Sequence, residues 1–349
     1  MADFIPGSDL ARTFYAEVVA GAVDRPHTAC LIGEGSEVQG YDDERSRDHE
    51  WGPRLQLFVA AADVDDVSRA VRSKLPPEHR GYPTRWFSLA EGRVSDHLEI
   101  TTTELWMSTR LPTVSTLEPD TAAWLAIPQQ HLRQLTAGVV FHDGLGELSR
   151  LRADFAWYPT DVWRWLLACQ WHLIGQALPL HGRSVETADD RGAQLLAGRL
   201  AELMMGMAFL QEQVYRPYAK WFGRAFADLR AARDLGPLID RILVGRDDDA
   251  FAQALLLLGH RHDELGIIER VGPRIEQFTV GIGDAVRPYP VLNTGEYIDA
   301  SVASISDRAL RDLPRVGSLD QLTHADDTLI TFTDWPQALA ERYRAQLSS

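Results

Sequence analysis

The chain has 349 residues and a formal net charge of −15, with 45% hydrophobic and 24% charged residues. That length allows two domains with sizeable cores. So acidic a composition argues against wrapping long nucleic acid and against docking on an anionic membrane, since both need basic surface. A site for an anionic ligand must then bring its own positive charge, from metal ions or from a few placed Lys and Arg.

The N-terminal stretch carries Asp3, Asp9 and Glu17 and lacks the basic-then-apolar design of a signal peptide. No apolar run approaches the length of a membrane span. A cytoplasmic protein is expected. The two cysteines, Cys30 and Cys169, have no metal-ligand spacing and read as buried thiols in a reducing compartment.

Ser8 is a suitable N-cap for a helix with Leu10, Phe14 and Val18 on one face, ending near Gly21. Thr28–Ile32 (TACLI) reads as a buried strand, followed by a polar loop from Gly33 to Arg47. Leu55–Ala60 (LQLFVA) reads as a second strand. Asp63 caps a helix bearing Val64, Val67, Val71 and Leu75, stopped by Pro76 and Pro77. Ser95–Thr102 alternates and is β-branched, as a third strand would be. The order α-β-loop-β-α-β predicts an α/β (α+β) domain with a small mixed sheet over residues 1–112.

After Pro112 the pattern predicts an α-helical bundle over 113–270. Asp120–Gly138 looks helical and is interrupted at Pro128. Dense apolar patterning follows from Asp161, with Trp163, Trp165 and Trp171 at helical spacing. Leu195–Tyr215 continues it with Met204, Met205 and Met207, and Ala225–Ala232 and Asp248–Leu258 read as further helices. Turns are expected at Pro179–Gly182 and Pro217. The Trp and Met clusters read as core. Residues 271–349 are mixed and are expected to pack on the helical domain.

The chemistry concentrates in Ile32-Gly33-Glu34-Gly35-Ser36 and, after eleven intervening residues, Asp48-His49-Glu50. A carboxylate two residues from another carries little weight in a chain with 50 acids. The arrangement carries more: strand, Gly-Ser turn, polar loop, then two carboxylates beside a strand. In an extended segment, residues i and i+2 share a face, so Asp48 and Glu50 would converge. A divalent cation relieves their repulsion, and Mg²⁺ favours a few carboxylates plus substrate phosphates. Gly35 lets backbone N–H groups approach a phosphate, and Ser36 adds a hydroxyl.

Gly35-Ser36 followed by Asp48-x-Glu50 resembles the signature of the polymerase-β-type nucleotidyltransferase superfamily, which includes aminoglycoside nucleotidyltransferases. More narrowly, the chain resembles an uncharacterised bacterial family of nucleotidyltransferase-like proteins, DUF4037. The resemblance lies in Gly35–Arg54, Pro128–Leu148, Tyr158–Trp171, Tyr215–Phe226 and Val316–Asp327. In the superfamily a third carboxylate sits on a later strand between apolar residues. Glu99, between Leu98 and Ile100, matches it, with Asp96 as the alternate and Glu104 more distant. The acid pair of the superfamily runs straight into an apolar strand, whereas here Trp51-Gly52-Pro53-Arg54 intervenes.

The resemblance implies two-metal nucleotidyl transfer with Mg²⁺ or Mn²⁺. Asp48, Glu50 and Glu99 would be the metal ligands and catalytic acids. A nucleoside triphosphate (NTP) would be the donor and a small-molecule hydroxyl the acceptor, with Gly35, Ser36, Arg54 and Lys220 binding nucleotide. Arg54 is either a phosphate clamp or a salt bridge to Glu50. Lys220, among Tyr218, Trp221 and Phe222, either reaches a phosphate or lays its stem on apolar surface. Transfer to a protein or tRNA acceptor, or non-catalytic nucleotide binding on the same scaffold, are the competing expectations. Arg183 reads as structural and His142-Asp143-Gly144 as a turn. His260-x-His262-Asp263 has metal-like spacing but reads as a solvated helix end. Gly144-x-Gly146 shows no clear strand before it or helix after it, so a dinucleotide fingerprint is not expected.

Overall fold

The computed structural model describes residues 4–89, 92–111, 118–244, 247–279 and 285–348. It forms two compact units: Met1–Glu118 with Gln130–Ala156, and Pro119–Gln129 with Trp157–Ser349.

The first unit is built on a four-stranded mixed sheet. Its strands are β1 (Thr28–Leu31), β2 (Leu55–Phe58), β3 (Leu98–Thr101) and β4 (Val139–Asp143), in the order β3-β2-β1-β4. β1 runs antiparallel to both β2 and β4, and β2 runs parallel to β3. β1 and β2 are buried at every residue, which explains their near-continuous apolar runs. Helix Val64–Ser73 turns Val67 and Val71, four residues apart, onto one sheet face. Phe14 of helix Gly7–Phe14 joins them over Ala29, Leu55, Leu57 and Leu98.

The N-terminal helix begins one residue before Ser8, with Pro6 as its cap. It continues through Tyr15–Val19 as a wider turn rather than a regular helix. Ser95 is not part of the third strand. Arg93–Ser95 pairs with Trp86–Ser88 in a separate hairpin, and His97, at φ +49°, breaks the chain before β3.

β4 lies within the segment expected to be a helical bundle. Gly138 admits it to the sheet. Its φ is +74°, and a Cβ there would lie 2.0 Å from the Leu31 carbonyl oxygen. The first unit therefore reclaims residues 130–156 from beyond the boundary at 112. Gly144-x-Gly146 does follow a strand and open a helix, Glu147–Asp154, contrary to expectation. The helix start is nonetheless filled. The Asp143 carboxylate accepts from the Gly146 N–H (3.0 Å), the Ser149 N–H (2.9 Å) and the Thr28 hydroxyl (2.6 Å), occupying the place a phosphate would take.

The second unit packs helix Thr160–Glu186 against Asp190–Glu212, surrounded by Ala219–Ala227, Ala232–Val244 and Asp248–Glu264. The expected break at Pro179 does not occur, and the helix runs through it. Packing of the long helix outweighs the local cost of one lost N–H. Trp165, Trp171, Met204 and Met207 are fully buried and Met205 partly, so these residues are core as expected. Helix Asp190–Glu212 alone among the described residues is long and apolar enough to cross a membrane, and over half of its apolar window is buried inside the unit.

The mixed tail contributes a hairpin, Ile275–Thr279 with Val286–Leu292, and a set of helices beginning at Thr294–Ala303, which packs on Thr160–Glu186. Gln321 fastens the tail by donating to the Leu166 carbonyl (3.1 Å) and to Gln170 Oε1 (2.9 Å). Asp320 beside it is fully enclosed and accepts from the Gln129 N–H at 3.0 Å. Burial pushes its carboxyl up to about 6 despite the nearby Arg216.

Candidate functional site

The sheet register brings the candidate residues of the first unit to one end of the sheet. Leu31 at the end of β1 pairs with Val139 at the start of β4, and Leu55 at the start of β2 pairs with Leu98 at the start of β3. Because β1 is antiparallel to β2, its exit lies beside the entries of the other strands. The Gly33–Ser36 turn, the loop carrying Asp48 and Glu50, and Glu99 all attach at this end.

Gly35 has φ +125°, and a Cβ there would lie 2.5 Å from the Glu37 carboxylate and 2.6 Å from the Arg54 guanidinium. Glycine is required on both counts. Ser36 starts a single helical turn, Ser36–Gln39, and its buried hydroxyl donates to Ser46 at 3.2 Å. Arg54 pairs with Glu37 rather than with Glu50. Its Nε donates to Glu37 Oε1 at 2.7 Å and its Nη2 to the Glu34 carbonyl. The pair is largely buried, with Glu37 at 4% exposure, so Arg54 neutralises a carboxylate that would otherwise be stranded beneath the turn.

The acid pair is not extended. Asp48 ends a short tight helix, Glu44–Asp48, and accepts from His49 Nδ1 at 2.5 Å. Glu50 sits at φ +46°, a region that non-glycine residues seldom occupy. The regular alternation of an extended run is therefore interrupted at both acids, although His49 between them is extended at φ −161°, ψ 153°. Glu50 Oε1 instead accepts from the Ser88 hydroxyl at 3.2 Å and from the Leu89 N–H, pinning the Trp86–Ser88 hairpin. Its Oε2 lies 3.8 Å from His97 Nδ1. Asp48 and Glu50 do line one cleft of about 300 Å³, with Arg47, Trp51, Tyr82 and Trp86.

Glu99 occupies the position reasoned from alternation. Leu98 and Ile100 face the core while Glu99 is about a third exposed, paired in register with Gln56. Asp96 is committed elsewhere. It binds Arg72 Nε at 2.9 Å and accepts the Leu98 N–H at 3.2 Å, tying helix Val64–Ser73 to β3. Glu104 is exposed in the first turn of helix Thr103–Arg110.

Sequence reasoning missed Arg110, which ends that helix. Its Nη1 lies 3.2 Å from Glu34 and its Nη2 3.9 Å from Glu99. Nothing local singles it out, because its partners are 76 and 11 residues away.

The carboxylate types suit Mg²⁺. Their placement does not form a centre, since among the described residues no group of three or more His, Cys, Asp or Glu is positioned to hold a metal ion. Asp48, Glu50 and Glu99 each face a protein partner instead.

Lys220 belongs to the second unit. It is exposed at the start of helix Ala219–Ala227, its Nζ 5.1 Å from the Trp221 ring centre and 5.7 Å from that of Tyr218. His260 is exposed near the end of its helix, as expected, but His262 is not. Helix Asp248–Glu264 carries His262 into the core at 0% exposure, where its Nδ1 accepts from Trp171 Nε1 at 2.9 Å. Arg183 pairs with Glu186 on the surface. Both cysteines are buried, and burial raises their thiols well above the usual range.

Residues 124–222 match the family model of a domain of unknown function, DUF4037. The DUF4037 match spans β4, the long helices Thr160–Glu186 and Asp190–Glu212, and Lys220. It does not include the Gly35 turn, the acid loop or Glu99, which precede it. No curated protein and no solved structure matches the chain.

Proposed function

We propose that the chain is a nucleotidyltransferase that moves a nucleoside monophosphate from an NTP to a hydroxyl of a small molecule. The observation that carries this reading is the sheet end. A Gly-Ser turn leaving β1, an acid loop leading into β2 and a carboxylate near the start of β3 attach at the same end of a mixed sheet. In this reading the Gly35 and Ser36 backbone and the Ser36 hydroxyl hold phosphate, and Glu99 accepts the proton of the acceptor hydroxyl. The reading requires Asp48, Glu50 and Glu99 to leave their protein partners and converge on Mg²⁺ or Mn²⁺ when the nucleotide binds, since they form no metal centre as they stand. The acidic composition favours a small acceptor over a long nucleic acid, with a protein or tRNA end as the runner-up.

The test is thermal stabilisation by each NTP with Mg²⁺ or Mn²⁺, followed by pyrophosphate release. The wild type is expected to gain metal-dependent stability with at least one NTP. The double variant Asp48→Asn, Glu50→Gln is expected to lose that gain while remaining folded, because both acids lie at the surface of the cleft. NTP stabilisation unchanged in the double variant would sink the reading. A non-catalytic nucleotide-binding role is the second reading, favoured by the protein partners that hold Glu50 and Glu99. Metal-dependent NTP binding without pyrophosphate release in the presence of candidate acceptors would select it.

A further inference from the structure

The Gly33–Ser36 turn is flanked by two guanidinium groups, and they differ in how firmly they are held. Arg54 is 17% exposed, hydrogen-bonded to Glu37 and to the Glu34 carbonyl. Releasing it would strand the buried Glu37 carboxylate. Arg110 is about a third exposed. It touches Glu34, which is 60% exposed, at 3.2 Å, and Glu99 at 3.9 Å, beyond hydrogen-bonding distance. Its Nε is buried with no hydrogen-bond partner. The helix that carries it is anchored by buried Trp106 and Met107 and capped by Thr102, so the base of the side chain is fixed while its fork is loosely engaged.

These charges form an unfinished balance. Glu34, Glu37 and Glu99 stand against Arg54 and Arg110. A polyphosphate would be repelled unless a cation turned toward it and a carboxylate turned away. Exposed ion pairs hold weakly, whereas a guanidinium fork on phosphate oxygens is charge-assisted and bidentate. Glu34 is free to swing into water.

We infer that Arg110 is the polyphosphate-binding cation of the first unit, held between Glu34 and Glu99 until a nucleoside triphosphate takes their place. The inference rests on the nucleotidyltransferase reading above. It assigns Arg110 a second consequence: moving onto phosphate releases Glu99 from its neighbour. Glu34 is then a competitor for Arg110, not a ligand of the substrate.

The test is isothermal titration of the intact protein with ATP, GTP, CTP and UTP, each with Mg²⁺, and with the corresponding monophosphates. Arg110→Ala is expected to weaken NTP at least tenfold and the monophosphate less than threefold. Arg110→Lys keeps the charge but not the fork and is expected to fall between. Glu34→Gln removes the competitor and is expected to tighten NTP several-fold when Arg110 is present but clearly less in the Arg110→Ala background, a dependence that the mere loss of a repelling carboxylate would not produce. Circular dichroism of each variant checks that it folds, and Glu34→Gln, at an exposed position, keeps the inference testable should Arg110→Ala fail to fold. If the wild type binds no NTP, the reading of the site fails and takes this inference with it. If the wild type binds NTP and Arg110→Ala binds it equally well, or Glu34→Gln leaves affinity unchanged, the inference alone is overturned.

Discussion

Glu99→Gln is expected to lower nucleotidyl transfer roughly 10²–10⁴-fold, the range for removing a general base, while NTP affinity stays within a few-fold of wild type. The argument begins in the strand. β3 places Leu98 and Ile100 against the core, so Glu99 must point to the other face. There it neighbours Gln56, whose Oε1 accepts the Ile32 N–H at 2.9 Å and so ties β2 to the exit of β1. Stability should change little, because the ion contact of Glu99 with Arg110 is long and partly exposed. Pyrophosphate release at saturating NTP measures the effect. Asp96→Asn is the control. It loosens the Arg72 tie between helix and strand, and is expected to lower stability without lowering turnover of the folded protein. Full turnover in Glu99→Gln together with lost turnover in Asp96→Asn would transfer the role to Asp96.

The second expectation concerns acid stability. Burial pushes the His262 imidazole down to about 4, with Asp263 only partly opposing it. In the core its Nδ1 accepts from Trp171, so the neutral ring carries its proton on Nε2. Protonation of Nδ1 would break that bond and bury a charge. A depressed histidine favours the neutral form in the folded state. Its contribution is therefore complete above the ordinary histidine value of 6.5 and is lost as pH falls from there to about 4. The span is worth at most about 3 kcal/mol. Asp320 works in the opposite sense. Its raised carboxyl favours the protonated form when folded, so its contribution is present below 3.8 and lost as pH rises toward about 6. The two overlap, and the wild-type profile alone would mix them. The difference in urea-unfolding free energy between wild type and His262→Gln isolates the histidine term. Glutamine offers Trp171 an acceptor but does not titrate. The variant is expected to lose stability relative to wild type at pH 7.5 and to recover most of that difference by pH 4. A difference that stays flat with pH would show that His262 does not carry the effect.

Much of the local structure was legible in the sequence because it depends on neighbours within a few residues. The apolar runs of β1 and β2, the paired valines of helix Val64–Ser73, the helix break at Pro128 and the core tryptophans follow from periodicity and from proline's missing N–H. The outward direction of Glu99 followed from alternation alone. Alternation failed at Asp48-x-Glu50 because it presumes an extended backbone. The left-handed turn at Glu50 is held by the Ser88 hydroxyl and the Leu89 N–H, 38 and 39 residues along the chain.

What only the tertiary structure decided has one physical cause: the state of a polar group is set by whatever the fold brings against it. His262 lies in a segment that looks solvated, yet becomes core because the helix continues past Gly259 and packs on Trp171. Arg54 pairs with Glu37 instead of its near neighbour Glu50 because the turn after β1 closes over that buried carboxylate. β4 joins the first sheet because the open edge of β1 has N–H and C=O groups to satisfy and Gly138 permits the approach. Arg110 stands beside Glu34 and Glu99 only because antiparallel and parallel pairing bring the exit of β1 and the entry of β3 to the same end of the sheet. The sequence determined which residues could form strands, turns and charged groups. Long-range pairing, which carries no local periodic signal, determined which of those groups meet.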